Sequence, residues 1–170
     1  VLDKIEREIQ NKKNGKSAKI IIKVNAIVEE ESIRALYRAS QAGVKVKLIV
    51  RGVCCLRPGV KGISENIEVR SIIGRFLEHT RVYAFSNDGE WEVYASSADL
   101  MNRNMFRRVE TCFPIDSKKL HDRILHDLDC YLKDNSQTWL LQSDGTYSQT
   151  KPKKGEEVYI VQNELLKFFQ

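Results

Sequence analysis

Two short runs of mostly aliphatic residues, Lys19-Ile20-Ile21-Ile22-Lys23-Val24 and Val44-Lys45-Val46-Lys47-Leu48-Ile49-Val50, flank a helical pattern over 29–42. Nothing else in the chain constrains the fold as strongly. Glu29, Glu30 and Glu31 occupy the first turn of that helix, where they favour its dipole. Ile33, Leu36 and Tyr37 form its apolar face, and Gly43 stops it. Strand, helix and strand within 19–50 make a βαβ unit, which sets its two strands parallel in one sheet. The long stretch 51–66, with Arg57-Pro58-Gly59 and Gly62, is then a loop leaving the carboxyl end of the second strand. In open α/β sheets, ligands tend to bind at that edge.

The remaining segments extend this unit. Residues 1–13 are expected to be helical through Leu2, Ile5 and Ile9, and Asn14-Gly15 ends them. Strands are expected at 67–73, 81–86 and 91–96, the last two joined as a hairpin by Asn87-Asp88-Gly89. A further strand over 109–113 is closed by Pro114. A helix over 116–133 follows, with Leu120, Ile124, Leu128 and Leu132 on one face, and then a short strand over 138–142. The stretch 148–157, around Lys151-Pro152-Lys153-Lys154-Gly155, is linker-like. Val158, Val161, Leu165 and Phe169 mark a last amphipathic helix. The expected architecture is α/β: a mixed β-sheet flanked by helices, with 1–147 as the main domain and 148–170 as a linker and helix packing on it.

Composition narrows the function classes. The 170 residues, 42% hydrophobic and 30% charged, exclude wholesale disorder, and no apolar run approaches the ~20 residues of a bilayer helix. The start, Val1 to Glu8, is a charged helical pattern without a signal-peptide core or an initiator Met, so the sequence is expected to be a piece of a longer protein. A net charge of +5 favours anionic partners only weakly. Cys54, Cys55, Cys112 and Cys130 have no zinc-like or disulfide-framework spacing, and are expected to be free and mostly buried in a reducing cytoplasm.

Chemistry concentrates near strand ends. His79 stands at the entry to a strand, with Arg75 and Arg81 flanking it and Arg51 and Arg57 in the ligand-side loop. Guanidinium groups present paired donors that match phosphate oxygens. The alternative is that these arginines simply pair with Glu65, Glu68 and Glu78 on the surface. His121 and His126, off the apolar face of their helix, are expected to be solvated. A second constellation, Ser96-Ser97-Ala98-Asp99-Leu100-Met101-Asn102-Arg103-Asn104, follows the hairpin. Its hydroxyls and Asp99 can orient an imidazole, and its backbone amides can cradle an oxyanion.

The order His79-x-Arg81, then Ser96-Ser97-x-Asp99, resembles in outline the phospholipase D signature, His-x-Lys followed by Gly-Ser-x-Asn. Arg81 replaces the Lys, Asp99 the Asn and Ser86 the signature Asp, and the spacing is longer. A closer resemblance runs in order over about 20–115. Lys23-Val24-Asn25-Ala26-Ile27, Leu48-Ile49-Val50-Arg51-Gly52-Val53, Gly74-Arg75-Phe76-Leu77-Glu78-His79 and Ser97-Ala98-Asp99-Leu100-Met101-Asn102-Arg103-Asn104 are similar to bacterial polyphosphate kinases of the phosphohistidine type. The chain resembles the last of that family's four domains, the second of two phospholipase-D-like catalytic domains.

The resemblance implies reversible transfer of the terminal phosphate of ATP to inorganic polyphosphate, with Mg2+ accompanying ATP and no metal ligands expected mainly from this chain. It implies a phosphohistidine in the preceding domain. Arg51 and His79 would be the catalytic residues touching nucleotide phosphates, with Arg81, Ser97, Asp99 and Arg103 in supporting phosphate-binding roles. Implied partners are ATP or ADP, polyphosphate, the preceding domains and, for the full-length protein, further copies of itself. Neither nucleic acid nor a transmembrane segment is implied. The implied location is cytoplasmic, with peripheral membrane association left open. A phospholipase-D-like phosphodiesterase or nuclease and a non-catalytic polyanion-binding module stand as alternatives.

Overall fold

The computed structural model describes residues 1–169, with side chains as far as Phe168. One eight-stranded mixed sheet runs through it. Its strands are β1 (Lys19–Val24), β2 (Lys45–Val50), β3 (Ile67–Ile72), β4 (Val82–Phe85), β5 (Glu92–Ser96), β6 (Cys112–Pro114), β7 (Thr138–Leu141) and β8 (Tyr147–Gln149), in the spatial order β6-β5-β4-β1-β2-β3-β7-β8. The central β1, β2 and β3 are parallel, as the βαβ pattern requires, and every pairing outward from them is antiparallel.

Helices cover both faces because the central strands are apolar on both. On one side, α1 (Leu2–Lys13) and α2 (Glu30–Gln41) bury Ile5, Ile9, Leu36 and Ala39 against Ile20, Ile22, Val46 and Leu48. On the other, α4 (Lys118–Lys133) and α5 (Val161–Leu166) bury Leu128, Tyr131 and Val161 against Ile21, Ile49, Val82 and Val93. Ile20 and Ile22 thus face one layer and Ile21 the other, the period-two alternation of a strand buried on both faces. A buried carboxylate ties the first layer to the sheet. Glu8, 0% exposed, accepts hydrogen bonds from Ser86 Oγ at 2.9 Å, the Asn87 amide at 2.8 Å and the Lys19 amide at 3.2 Å.

Several expectations shift. Glu29 is the cap of α2 rather than part of it, its carboxylate accepting the amides of Glu31 and Ser32 at 2.9 and 2.7 Å. The hairpin turn at 87–89 is a single 3-10 turn, with Asn87 and Asp88 at φ 43° and 60°, a region that Asn and Asp tolerate better than most residues. The strand expected at 109–113 forms only at Cys112–Pro114, and Pro114 lies within it. This is an edge strand, where a missing N–H costs little. A five-residue helix, α3 (Asn102–Phe106), was not expected, and β8 occupies the start of the linker-like stretch. The last helix begins at Val161, leaving Val158 exposed, and the expected apolar position Phe169 lies outside the described side chains. Among the described residues no helix is long and apolar enough to cross a membrane.

The thiols also depart from expectation. Only Cys130 is buried, whereas Cys55 and Cys112 are exposed and Cys54 is half-buried. Cys112 is open because β6 has no strand on its outer side. Burial pushes the Cys54 thiol up to about 11, which leaves it a poor nucleophile at neutral pH.

Candidate functional site

Arg51 stands where the two central strands end together, with Val24 and Val50 in register. The hydrogen-bond ladder continues one step past them: the Arg51 amide donates to Val24 O at 3.2 Å and the Gly52 amide to Asn25 O at 2.9 Å. A Cβ on residue 52 would lie 3.1 Å from Asn25 O, so glycine allows this close turn. The Arg51 side chain is half-buried, and its Nη1 is buried with no hydrogen-bond partner among the described residues. With Lys23, Phe76, Glu78 and Tyr131 it lines a small cavity of about 20 Å³. With Ser71, Ile73, Trp139 and Tyr147 it lines a cleft of about 250 Å³. A buried donor left unpaired costs about 1–3 kcal/mol, which an incoming acceptor can relieve.

His79 lies in an irregular segment and is exposed, its ring without a hydrogen-bond partner among the described residues. Its main chain is held instead. Arg81, just before β4, donates from Nη1 to His79 O at 3.1 Å and from Nη2 to Asp99 Oδ2 at 3.0 Å. Asp99, 5% exposed, accepts the Asn25 amide on its other oxygen at 2.6 Å. Burial alone would raise its carboxyl, but the Arg81 hydrogen bond, the Asn25 amide and the Arg81 charge together hold it below the usual carboxylate range. Arg81 and Asp99 therefore tie the His79 segment to the end of β1. Arg81 Nε joins Arg51 Nη1 as a buried donor without a partner among the described residues, while the Asn25 side chain helps to hold the Asp99 carboxylate. Two guanidinium donors left over on one sheet edge make that edge fit for an anion.

The serines serve the loop beyond β5. Ser97 Oγ donates to the Glu110 carboxylate and accepts the Thr111 amide at 2.9 Å, while Asn104 donates to the other Glu110 oxygen. Ser96 Oγ accepts the Ala98 amide at 3.0 Å. Arg103, on α3, is exposed and has no side-chain hydrogen bond or ion pair among the described residues. The structure thus brings Arg51 and Glu78, the neighbour of His79, to one cavity and links Arg81 to Asp99. It leaves Ser97 and Arg103 outside that cluster of contacts.

The surface-pairing alternative fails in detail. Among the described residues Glu68 takes Lys47 and Arg70, and Glu78 takes Lys23. Arg75 lies over the Phe76 ring at 5.3 Å, and Arg57 reaches Asp144 O at 3.5 Å. Nor is His121 simply solvated: its Nε2 lies 2.8 Å from Trp91 O. A larger cavity of about 440 Å³ opens at the amino ends of β2 and β3, beside the Lys47–Glu68 pair and away from the strand ends that carry Arg51.

Sequence reasoning missed Asn25 and the partners of Glu78. Lys23, 6% exposed inside β1, pairs with Glu78 Oε2 at 2.9 Å and lies 4.7 Å from the centre of the Tyr131 ring, and the Tyr131 hydroxyl donates to the same carboxylate. A lysine between Ile22 and Val24 in the buried part of a strand covered on both faces was the available signal, since such a charge needs a partner. Among the described residues no group of three or more His, Cys, Asp or Glu side chains is placed to hold a metal ion.

The chain is similar to known proteins in sequence and in fold. The family model described as "Polyphosphate kinase C-terminal domain 2" matches residues 1–161. A polyphosphate kinase from Pseudomonas syringae pv. tomato is 54% identical over 166 residues, covering 98% of this chain but 23% of its own length. The chain therefore spans under a quarter of that relative. The crystal structure of polyphosphate kinase from Porphyromonas gingivalis superposes with a TM-score of 0.93 at 38% identity, over 98% of this chain and 26% of that one. A phospholipase D family member, Nuc from Salmonella typhimurium, shares the fold alone, with a TM-score of 0.54 at 15% identity over 84% of this chain and 89% of its own.

Proposed function

The chain belongs to the polyphosphate kinase family, matching its C-terminal domain 2, and from that membership we propose that it is one catalytic domain of an enzyme moving the terminal phosphate of ATP reversibly onto inorganic polyphosphate. The observation that carries this reading is the half-buried Arg51 guanidinium, with a spare Nη1 donor at the carboxyl edge of the sheet. A planar fork there can grip two oxygens of a transferring phosphate and stabilise the charge that builds on them.

In this reading the bond between the γ-phosphorus and its bridging oxygen breaks, and ADP leaves with the electron pair. The phosphoryl group passes to a histidine outside this chain. A terminal oxygen of polyphosphate then attacks the phosphorus and releases that histidine. His79 gives or takes the proton at the entering or leaving phosphate oxygen. Arg81 and Asp99 position it, and Ser97 and Arg103 lend support at the rim. Magnesium arrives with ATP, its ligands coming mainly from outside the chain. The full-length protein is read as a cytoplasmic homo-oligomer whose preceding domains supply the phosphorylated histidine.

Two assays on the isolated residues 1–170 test this division of labour. Equilibrium binding should detect ATP and polyphosphate, while incubation of both should yield no chain growth, because a covalent route is lost with its nucleophile. ATP-dependent chain growth by the isolated chain would refute the reading, as would binding of neither anion. Hydrolysis of a phosphodiester reporter would move the assignment to a phosphodiesterase.

A further inference from the structure

The segment 73–80 that carries His79 has neither strand nor helix, and Ile73, Phe76 and Leu77 in it are exposed. Beyond one main-chain bond, from the Ile73 amide to Gln137 O at 3.1 Å, its course is set by side-chain hydrogen bonds instead of by an apolar anchor. Three of them involve Gln162 of α5, 4% exposed. The Phe76 amide donates to Gln162 Oε1 at 2.9 Å, and Gln162 Nε2 donates to Phe76 O at 2.9 Å and to Glu78 Oε1 at 2.8 Å. The other Glu78 oxygen takes Lys23 from β1 and the Tyr131 hydroxyl from α4.

Gly74 supplies the room for this arrangement. A Cβ on it would collide with Gln162 Oε1 and meet Gln137 Oε1 at 2.5 Å. Its φ lies outside the left-handed region, so glycine is there for space alone. The chemistry at 162 is equally specific. A carboxylate there could accept from the Phe76 amide but could not donate to Phe76 O, and it would face the Glu78 carboxylate. Leucine would match the volume and make none of the bonds.

We infer that Gln162 is a positioning residue for the phosphate-transfer site, its amide holding segment 73–80, and His79 with it, to the sheet edge where Glu78 and Arg51 line one cavity. The inference rests on the role given to His79 in the proposed function. It makes α5, far along the chain from the site motifs, part of the catalytic apparatus.

The test uses a full-length protein of this family carrying the chain. Gln162→Leu should lower kcat by about ten- to a hundredfold, the loss expected when a reacting group drifts by about an ångström, with KM for ATP nearly unchanged. Hydrogen exchange over 74–80, which includes the Phe76 amide, should accelerate. In a His79→Ala background, Gln162→Leu should cost nothing further in kcat, because two residues acting through one group are not additive. Gly74→Ala displaces the same amide without emptying the buried site, so it should reproduce the kcat loss and serves should Gln162→Leu fail to fold.

Unchanged exchange in Gln162→Leu would overturn the inference. So would faster exchange with full kcat, full kcat in Gly74→Ala, or an undiminished further loss in the His79→Ala background. Full turnover by His79→Ala itself would overturn the role of His79 and with it the positioning role of Gln162, while the exchange measurement would still report whether the amide holds the segment.

Discussion

Arg51 and His79 belong to one proposed site but are held by different physics. Arg51 continues the ladder of two central parallel strands, its backbone set by the Val24 carbonyl and the Gly52–Asn25 contact. His79 rides on an irregular segment that side chains from β1, α4, α5 and the 97–99 stretch keep in place. The contrast teaches that the two arms can be perturbed separately. Main-chain bonds do not titrate between pH 3 and 9, whereas the His79 segment depends on the Glu78 and Asp99 carboxylates staying ionised.

The largest expected effect strikes the ladder-held arm. Arg51→Lys in the full-length protein keeps charge and approximate length but loses the fork, so turnover should fall by about 10²–10³, or roughly 2–4 kcal/mol, with little change in thermal midpoint. Near-normal turnover would remove Arg51 from the site. Next comes the side-chain-held arm. Asp99→Asn strips Arg81 of its counter-charge and should destabilise the domain by about 2–3 kcal/mol, somewhat less than a fully buried pair because Arg81 stays partly open to solvent. Chemical denaturation of the two proteins measures it. A loss under about 0.5 kcal/mol would mean that the pair is merely a surface contact.

A smaller, pH-dependent effect belongs to Glu78. Burial works to raise its carboxyl, but the Lys23 hydrogen bond and charge, with Tyr131 and Gln162, outweigh it and hold the group below its ordinary 4.5. A carboxyl lowered on folding adds stability that is complete above the unfolded value and lost as pH falls through the folded one. Glu78→Gln should therefore cost about 1–2 kcal/mol at pH 7, and the gap to the parent should close as pH drops below about 4.5. Thermal midpoints against pH decide this, and a gap independent of pH would deny the carboxylate its role. The smallest effect is reserved for Arg103→Ala, which should leave stability within about 0.5 kcal/mol. If Arg103 lends a rim contact, only polyphosphate affinity should drop, with a shallower salt dependence in titrations.

The central βαβ unit, the hairpin and the main helices were legible because their signals are local: two-residue alternation, an acidic first turn and Asn-Asp-Gly at the bend. The short elements were not. All three residues of β6 and of β8 are exposed, so neither carries a hydrophobic period, and five-residue α3 is too short to show one. The place of Arg51 was legible because it follows an aliphatic strand at the ligand side of the sheet, whereas its proposed role came from the family resemblance. The support for His79 was not legible, since Glu78 meets Tyr131 53 residues away and Gln162 84 residues away, and no spacing rule links such positions.

By itself, the sequence determined which of the longer segments are strands and helices, that the first two strands run parallel, and that arginines gather where the chain leaves the sheet. Tertiary structure alone decided which charges meet at that edge. The strand order sets β1 between β4 and β2, so Lys23 and Asn25 come to the middle of the edge where Glu78 and Asp99 arrive from distant loops. Arg81 consequently pairs with Asp99, not with any of the glutamates nearer in sequence. The physical reason is range: turns, caps and alternation act over a few residues, whereas a charge near the sheet is satisfied by whatever side chain packing brings within about 3 Å.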